Sequence, residues 1–174
     1  RFMRRVVVTG IGVLSPIGNN QQDFLNGLQQ GISGAGLITR FDASLFKTRF
    51  ACELKNFNPE DFLDRKEARK LDPFAQYALV VAEEAMKDSG IELEKVNRMK
   101  FGVIWGSGIG GFYTLETDIS EAALLTGPPR YSPFLIPKLI SDIAPGHISI
   151  KYGLMGINYG TVSACASSSH AISN

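Results

Sequence analysis

Cys165 stands where a nucleophile could be aimed. The stretch Gly160-Thr161-Val162-Ser163-Ala164-Cys165-Ala166-Ser167-Ser168-Ser169-His170 passes from a strand-compatible run into small residues that can open a helix. A side chain at a sharp strand-to-helix turn projects away from its sheet. A sulfur at a helix N-terminus also gains from the positive end of the helix dipole, which favours thiolate. The competing reading is a buried small hydrophobe, the state of most free cysteines. Only His147 and His170 could serve as an imidazole base. His170 lies roughly 140° around a helix from Cys165 at about 100° per residue, and His147 reads as a structural or surface residue. A Cys–His dyad within this chain is therefore not expected.

Two glycine-rich stretches raise a different chemistry. Gly106-Ser107-Gly108-Ile109-Gly110-Gly111 has the GxGxxG spacing after a strand-like run, the signature of a dinucleotide site. The following Phe112 to Pro129 argues against it, because Thr126-Gly127-Pro128-Pro129 falls where a crossover should deliver a second strand ending in an acidic residue. Gly10-Ile11-Gly12 leads into Ser15-Pro16 instead of a helix. For both stretches the expected role is a turn that lets two backbones approach closely.

Arg65, Lys66, Arg69 and Lys70 form a basic cluster in a stretch expected to be helical, with Lys66, Arg69 and Lys70 on one face. Such a face is either simply solvated or a docking surface for an acidic protein or a phosphate-bearing substrate. No aromatic residues interleave with these charges as single-stranded nucleic acid binding favours.

The elements that must position these groups alternate along the chain. Arg5 to Thr9 is β-branched and reads as a buried, central strand. Asn20 caps a helix that runs to about Gln30 and stops at Gly31, and Asn58-Pro59-Glu60-Asp61 reads as a second cap with proline at the first helical position. Asp72-Pro73 opens the clearest helix, to about Asp88 before Gly90, with Phe74, Ala78, Val81, Ala82 and Ala85 on one apolar face. Phe101 to Trp105 and Asn158 to Ala164 read as further strands, and Pro133 to Ile150 as helical in its second half. Strands separated by helices imply an α/β layered fold with a largely parallel sheet.

Composition narrows the function. The 174 residues carry 18 basic and 17 acidic side chains, a net charge of +1 that gives no global push toward nucleic acid or a membrane surface. Cys52 and Cys165 have no metal-ligand or CxxC spacing, so no disulfide framework and no metal site are indicated, and the reduced thiols of a cytoplasmic protein are expected. Apolar runs fall well short of the roughly 20 residues that span a bilayer.

Taken in order, Val6-Val7-Val8-Thr9-Gly10 with Leu14-Ser15-Pro16-Ile17-Gly18, Gly106 to Gly111, Ser132-Pro133-Phe134, Gly146-His147-Ile148-Ser149 and Ser163-Ala164-Cys165-Ala166-Ser167-Ser168 resemble the β-ketoacyl-acyl carrier protein synthases. The likeness is greatest to the elongating type II enzymes of fatty acid synthesis. Two positions depart from the family pattern: Ile157, where proline is usual, and Thr161, where an apolar residue is more common. Both are expected to alter packing without changing the chemistry.

The resemblance implies a thiolase-like layered fold (αβαβα in the complete enzyme), with residues 1–174 as the N-terminal half-domain, interrupted after the nucleophile helix begins. It implies that Cys165 accepts an acyl chain from the phosphopantetheine arm of acyl carrier protein. Decarboxylative condensation with malonyl-acyl carrier protein then gives a 3-oxoacyl chain. It further implies that Ile109 and Phe134 line the acyl pocket, that Lys66, Arg69, Lys70 and Arg130 grip the carrier protein, and that the enzyme is a homodimer. No cofactor is implied beyond the phosphopantetheine that arrives on the substrate, and no nucleic acid or membrane partner. The two histidines and the lysine of the condensation step are expected in the second half, so this portion alone is expected to lack condensing activity. A polyketide-type ketosynthase or its chain-length partner, and a noncatalytic carrier-protein binding module, are the alternatives.

Overall fold

A computed structural model describes residues 5–174. In chain order the elements are α1 (Gln21–Gln29), β1 (Gly36–Leu37), β2 (Phe50–Ala51), α2 (Arg65–Ala68), α3 (Pro73–Ser89), β3 (Val103–Gly106), α4 (Phe112–Leu124), α5 (Leu135–Leu139), α6 (Ile143–Tyr152), β4 (Asn158–Thr161) and α7 (Ser167–Ser173). Single 3-10 turns occupy Pro59–Asp61, Arg98–Lys100 and Ala164–Ala166. No helix among the described residues is long and apolar enough to cross a membrane. The chain divides into two compact units, one of residues up to 58 with Val80–Ile91 and one of Pro59–Leu79 with Glu92–Asn174.

In the first unit, Asn20 caps α1 by accepting the Asp23 N–H, and Gly31 beyond the helix adopts φ +65°, the left-handed turn expected of it. Residues 80–89 of α3 receive the glycine-rich N-terminal loop. A Cβ at Gly10 would stand 2.2 Å from the Ala85 carbonyl oxygen, and one at Gly12 1.9 Å from that of Val81. The loop's free N–H groups are met from the same helix: Ile11 donates to Asp88 at 2.9 Å and Val13 to Glu84 at 2.7 Å. These glycines therefore admit a helix backbone, as their turn role required.

Arg5 to Thr9 departs from expectation. It carries no ladder, and Val6 is 93% exposed. β-Branched residues favour a strand only where a neighbouring strand takes their N–H and C=O groups, and none of the described residues does so here. The antiparallel β1–β2 pair, Gly36 opposite Ala51 and Leu37 opposite Phe50, is an element the sequence did not signal.

In the second unit β3 and β4 pair in parallel, Val103 with Asn158 through Gly106 with Thr161. The mixed α/β class is as expected, although among the described residues each sheet has two strands. Asn58-Pro59 opens a single 3-10 turn in place of a helix. Phe62 and Leu63 both donate back to the Pro59 carbonyl, and Asp64 then caps α2 through the Lys66 and Glu67 N–H groups. Pro133 to Ile150 holds two helices, α5 and α6, and α4 follows the glycine cluster directly.

The helix α3 starts and ends where Asp72-Pro73 and Gly90 place it, Gly90 adopting φ +62°. It is covered on more than the single apolar face expected, with no exposed residue between Pro73 and Met86. Isoleucine in place of proline at 157 leaves the ladder unchanged, because Ile157 contributes its carbonyl, which accepts from Val103 at 2.8 Å.

Candidate active site

Cys165 lies in the 3-10 turn that carries the chain from β4 into α7, and its side chain is exposed. Within this chain Cys165 is not packed as a buried small hydrophobe. The residue before it, Ala164, adopts φ +47°. A left-handed conformation costs a non-glycine residue about 1–2 kcal/mol, so the surroundings must enforce it.

Ser167, only 3% exposed, does much of that enforcement. Its hydroxyl accepts the Ser163 N–H at 2.8 Å and donates to the Ala164 carbonyl at 2.7 Å. Its own N–H also donates to the Ala164 carbonyl. From the strand, the Thr161 hydroxyl donates to the Ser167 carbonyl at 2.8 Å. Thr161, one of the two departures from the family pattern, thus adds a specific tie between β4 and the first turn of α7. The small hydroxyl side chains bond backbone three to six residues away, the local competition with regular ladders that such residues favour. Ser167 was not singled out in the sequence, though its position two residues after the cysteine in a serine run was the available signal.

The neighbouring strand completes the turn. Ser107 donates to the Thr161 carbonyl at 3.1 Å. A Cβ at Gly106 would lie 2.6 Å from Ser167 C, Ser168 N and Ser168 Cα. The rest of the GxGxxG stretch is filled by protein backbone as well: a Cβ at Gly110 (φ +97°) would meet the Leu139 carbonyl oxygen at 2.4 Å, and one at Gly111 that of Lys138 at 2.1 Å. Glycines needed for backbone approach leave no cradle for a pyrophosphate, which bears out the turn reading.

Gly108 lies in ordinary contact range of Ala164, 3.7 Å from Cβ position to carbonyl oxygen, which brings the Ile109 loop beside the cysteine turn. Ile109 is 68% exposed. Phe134, 46% exposed, stands at the N-terminus of α5, whose far end abuts Gly110. Lys66, Arg69 and Lys70 are all exposed and form no ion pair among the described residues. The α2 helix is a single turn: Arg69 is its C-cap and Lys70 donates to Glu67 in 3-10 fashion, so the three charges share a short turn and not a longer helix face. Arg130 is exposed in the segment between α4 and α5.

Neither histidine reaches the sulfur through a bond among the described residues. The His170 Nδ1 lies 2.9 Å from the Ser163 hydroxyl. His147 lies half-buried on α6, where burial pushes its imidazole below the ordinary histidine pKa against an opposing pull from the Glu67 carboxylate. A base whose folded pKa is lowered is protonated first in the unfolded chain. Stability is then full above the ordinary value of 6.5 and falls as pH drops through it toward the folded pKa. His147→Gln is expected to flatten the acid side of a Tm-against-pH curve for the full-length protein. A slope equal to wild type would remove His147 as a source of acid lability.

Residues 3–174 match the family described as Beta-ketoacyl synthase, N-terminal domain. The chain is 46% identical over 169 residues to the 3-oxoacyl-[acyl-carrier-protein] synthase 2 of Synechocystis sp., covering 97% of this chain and 40% of the relative. It is 47% identical over 169 residues to the protein of the same name from Coxiella burnetii, covering 97% of this chain and 41% of the relative. The chain thus spans about two fifths of the length of these relatives. Among solved structures, an ishigamide ketosynthase/chain length factor superposes with TM-score 0.81 at 28% identity, over 92% of this chain and 40% of that one. A type II polyketide synthase acyl-carrier protein in complex with its ketosynthase gives TM-score 0.79 at 24% identity, over 98% and 45%, a likeness of fold alone.

Proposed function

This chain belongs to the β-ketoacyl synthase family, as its N-terminal domain, and from that premise we propose that it supplies the acyl-accepting nucleophile, Cys165, of a 3-oxoacyl-acyl carrier protein synthase. The observation that carries the reading is an exposed cysteine directly after the left-handed Ala164, on a strand-to-helix turn braced by Ser167. A noncatalytic binding module has no need to hold backbone strain next to an exposed thiol. Identity of 46% to a 3-oxoacyl-acyl carrier protein synthase, against 28% to a ketosynthase/chain length factor, favours the fatty acid enzyme over a polyketide one.

In this reading the Cys165 thiolate attacks the carbonyl carbon of an acyl thioester on the phosphopantetheine arm of acyl carrier protein. The tetrahedral intermediate collapses by expelling the pantetheine thiolate, leaving the acyl group on Sγ. The Cys165 N–H donates to none of the described residues, so it is available to the oxyanion. Malonyl-acyl carrier protein then loses carbon dioxide, and its C2 carbanion attacks the Cys165 thioester. The 3-oxoacyl chain leaves on the carrier, two carbons longer, and the thiolate is restored. The groups that drive decarboxylation belong to the portion of the relatives that this chain does not span. The complete protein is a cytoplasmic homodimer of thiolase-like αβαβα fold.

Ile109 and Phe134 line the acyl path in this reading, since the loop and helix that carry them meet at Gly110 beside the cysteine turn. Unpaired Lys66, Arg69 and Lys70, with Arg130, receive the acidic carrier. For full-length protein carrying Lys66→Glu and Lys70→Glu, the KM for acyl-carrier protein is expected to rise about tenfold, most at low salt. Acylation from a small acyl-pantetheine should be unchanged, and an unaltered carrier KM would leave the basic turn merely solvated. The central test is intact and peptide mass measurement after incubating full-length protein with acyl-carrier protein. The acyl mass is expected on the Cys165 peptide, and carrier binding with an unmodified Cys165 would favour the binding module.

A further inference from the structure

Asp72 is 2% exposed, and its carboxylate serves two helices. Oδ1 accepts the Phe74 N–H at 3.1 Å, the N-cap of α3 that Asp72-Pro73 announces in the sequence. Oδ2 accepts both the Thr114 N–H at 2.9 Å and the Thr114 hydroxyl at 2.7 Å, across 42 residues. Thr114 is the third residue of α4, whose N–H an N-cap side chain would normally take. The cap position of α4 is Gly111, which has no side chain to offer. Asp72 therefore supplies that cap from a distance, and places a carboxylate at both helix N-termini.

What α4 begins from is the loop beside the nucleophile. Residues 107–111 are tied at one end by the Ser107 N–H to the Thr161 carbonyl, extending the β3–β4 ladder. At the other end the loop enters the first turn of α4. Between these ties lie Gly108, against Ala164, and Ile109. A loop with glycines at four of its positions from 106 to 111 has little stiffness of its own. Its conformation depends on what holds its ends.

We infer that Asp72 is a positioning residue for acyl transfer: through Thr114 it fixes the first turn of α4, and so holds Ile109 in register with Cys165. The inference rests on the acyl-accepting role of Cys165 and extends it to the choice of acyl chain. Thr114→Val removes one bond to Oδ2 while keeping the shape and the N–H. Asp72→Asn leaves one acceptor oxygen for the two caps, and Thr114→Ser keeps the hydroxyl.

The experiment compares hexanoyl- and palmitoyl-carrier protein as donors to Cys165 in the full-length protein, with iodoacetamide alkylation of Cys165 in parallel. In Asp72→Asn and Thr114→Val the ratio of palmitoyl to hexanoyl acylation rates is expected to shift about tenfold, the scale on which a small misplacement acts. Alkylation should proceed at the wild-type rate, and Thr114→Ser should restore the wild-type ratio. An unchanged ratio in Thr114→Val, even with a lowered Tm, reduces the contact to a stabilising cap and overturns the inference. That variant decides the matter if Asp72→Asn does not fold. A wild type whose Cys165 takes up no acyl group removes the proposed function and this inference together, whereas an acylated wild type with indifferent variants removes this inference alone.

Discussion

Replacing Cys165 with alanine in the full-length protein eliminates acyl-enzyme formation and lowers elongation by about 10⁴-fold or more, the scale seen when a covalent nucleophile is removed. The loss should be chemical and not structural. The bonds that brace the turn are made by Thr161, Ser163, Ser167 and backbone groups, none by the cysteine sulfur. Removing an exposed thiol costs little burial, so the melting behaviour should stay within about 0.5 kcal/mol of wild type. Single-turnover acylation followed by mass spectrometry, beside a thermal melt, separates the two effects. Acyl transfer that persists in Cys165→Ala would move the nucleophile elsewhere, with exposed Cys52 the first place to look.

Gly106→Ala is expected to cost less, about 10²-fold, and by an indirect route. The added Cβ would stand 2.6 Å from backbone atoms of Ser167 and Ser168, a separation real Cβ atoms do not adopt. Those atoms are backbone, so no side chain can swing aside, and either the end of β3 or the first turn of α7 must move. Overpacking of this kind destabilises by about 1–3 kcal/mol. A shift on the order of 1 Å in the turn that aims Cys165 would lower acylation about 10²-fold. Gly127→Ala is the control, because a Cβ there meets nothing within 4 Å, and its effect should fall within about 0.5 kcal/mol of zero. A Gly106→Ala protein that melts and acylates like wild type would show that α7 can yield without disturbing the sulfur.

The two variants also mark what could be read before any fold was known. Cys165 was legible because its signal is local: a strand-compatible run, then small residues that can turn and open a helix. The brace that makes the turn a site was less so. Ser167 acts through four bonds within six residues, yet many serines do nothing of the kind, and only the left-handed Ala164 reveals what its hydroxyl restrains. The GxGxxG stretch illustrates the converse. Its spacing fits a nucleotide loop, and the turn reading prevailed because the atoms against Gly110 and Gly111 are carbonyls of α5. Arg5 to Thr9 has strand composition without a strand, since a ladder is a property of two segments and composition describes one.

By itself the sequence determined whatever depends on neighbours a few positions away: the Asn20 and Asp72-Pro73 starts, the Gly31 and Gly90 stops, the charge balance and the place of the cysteine. These follow from side chains bonding nearby backbone and from φ values that glycine alone adopts freely. Tertiary structure decided which distant backbone each glycine admits, and that the second oxygen of Asp72 caps a helix 42 residues away. The reason is physical: a buried carboxylate and a missing Cβ are satisfied by whatever packing brings to them, and that partner is not written beside them in the chain.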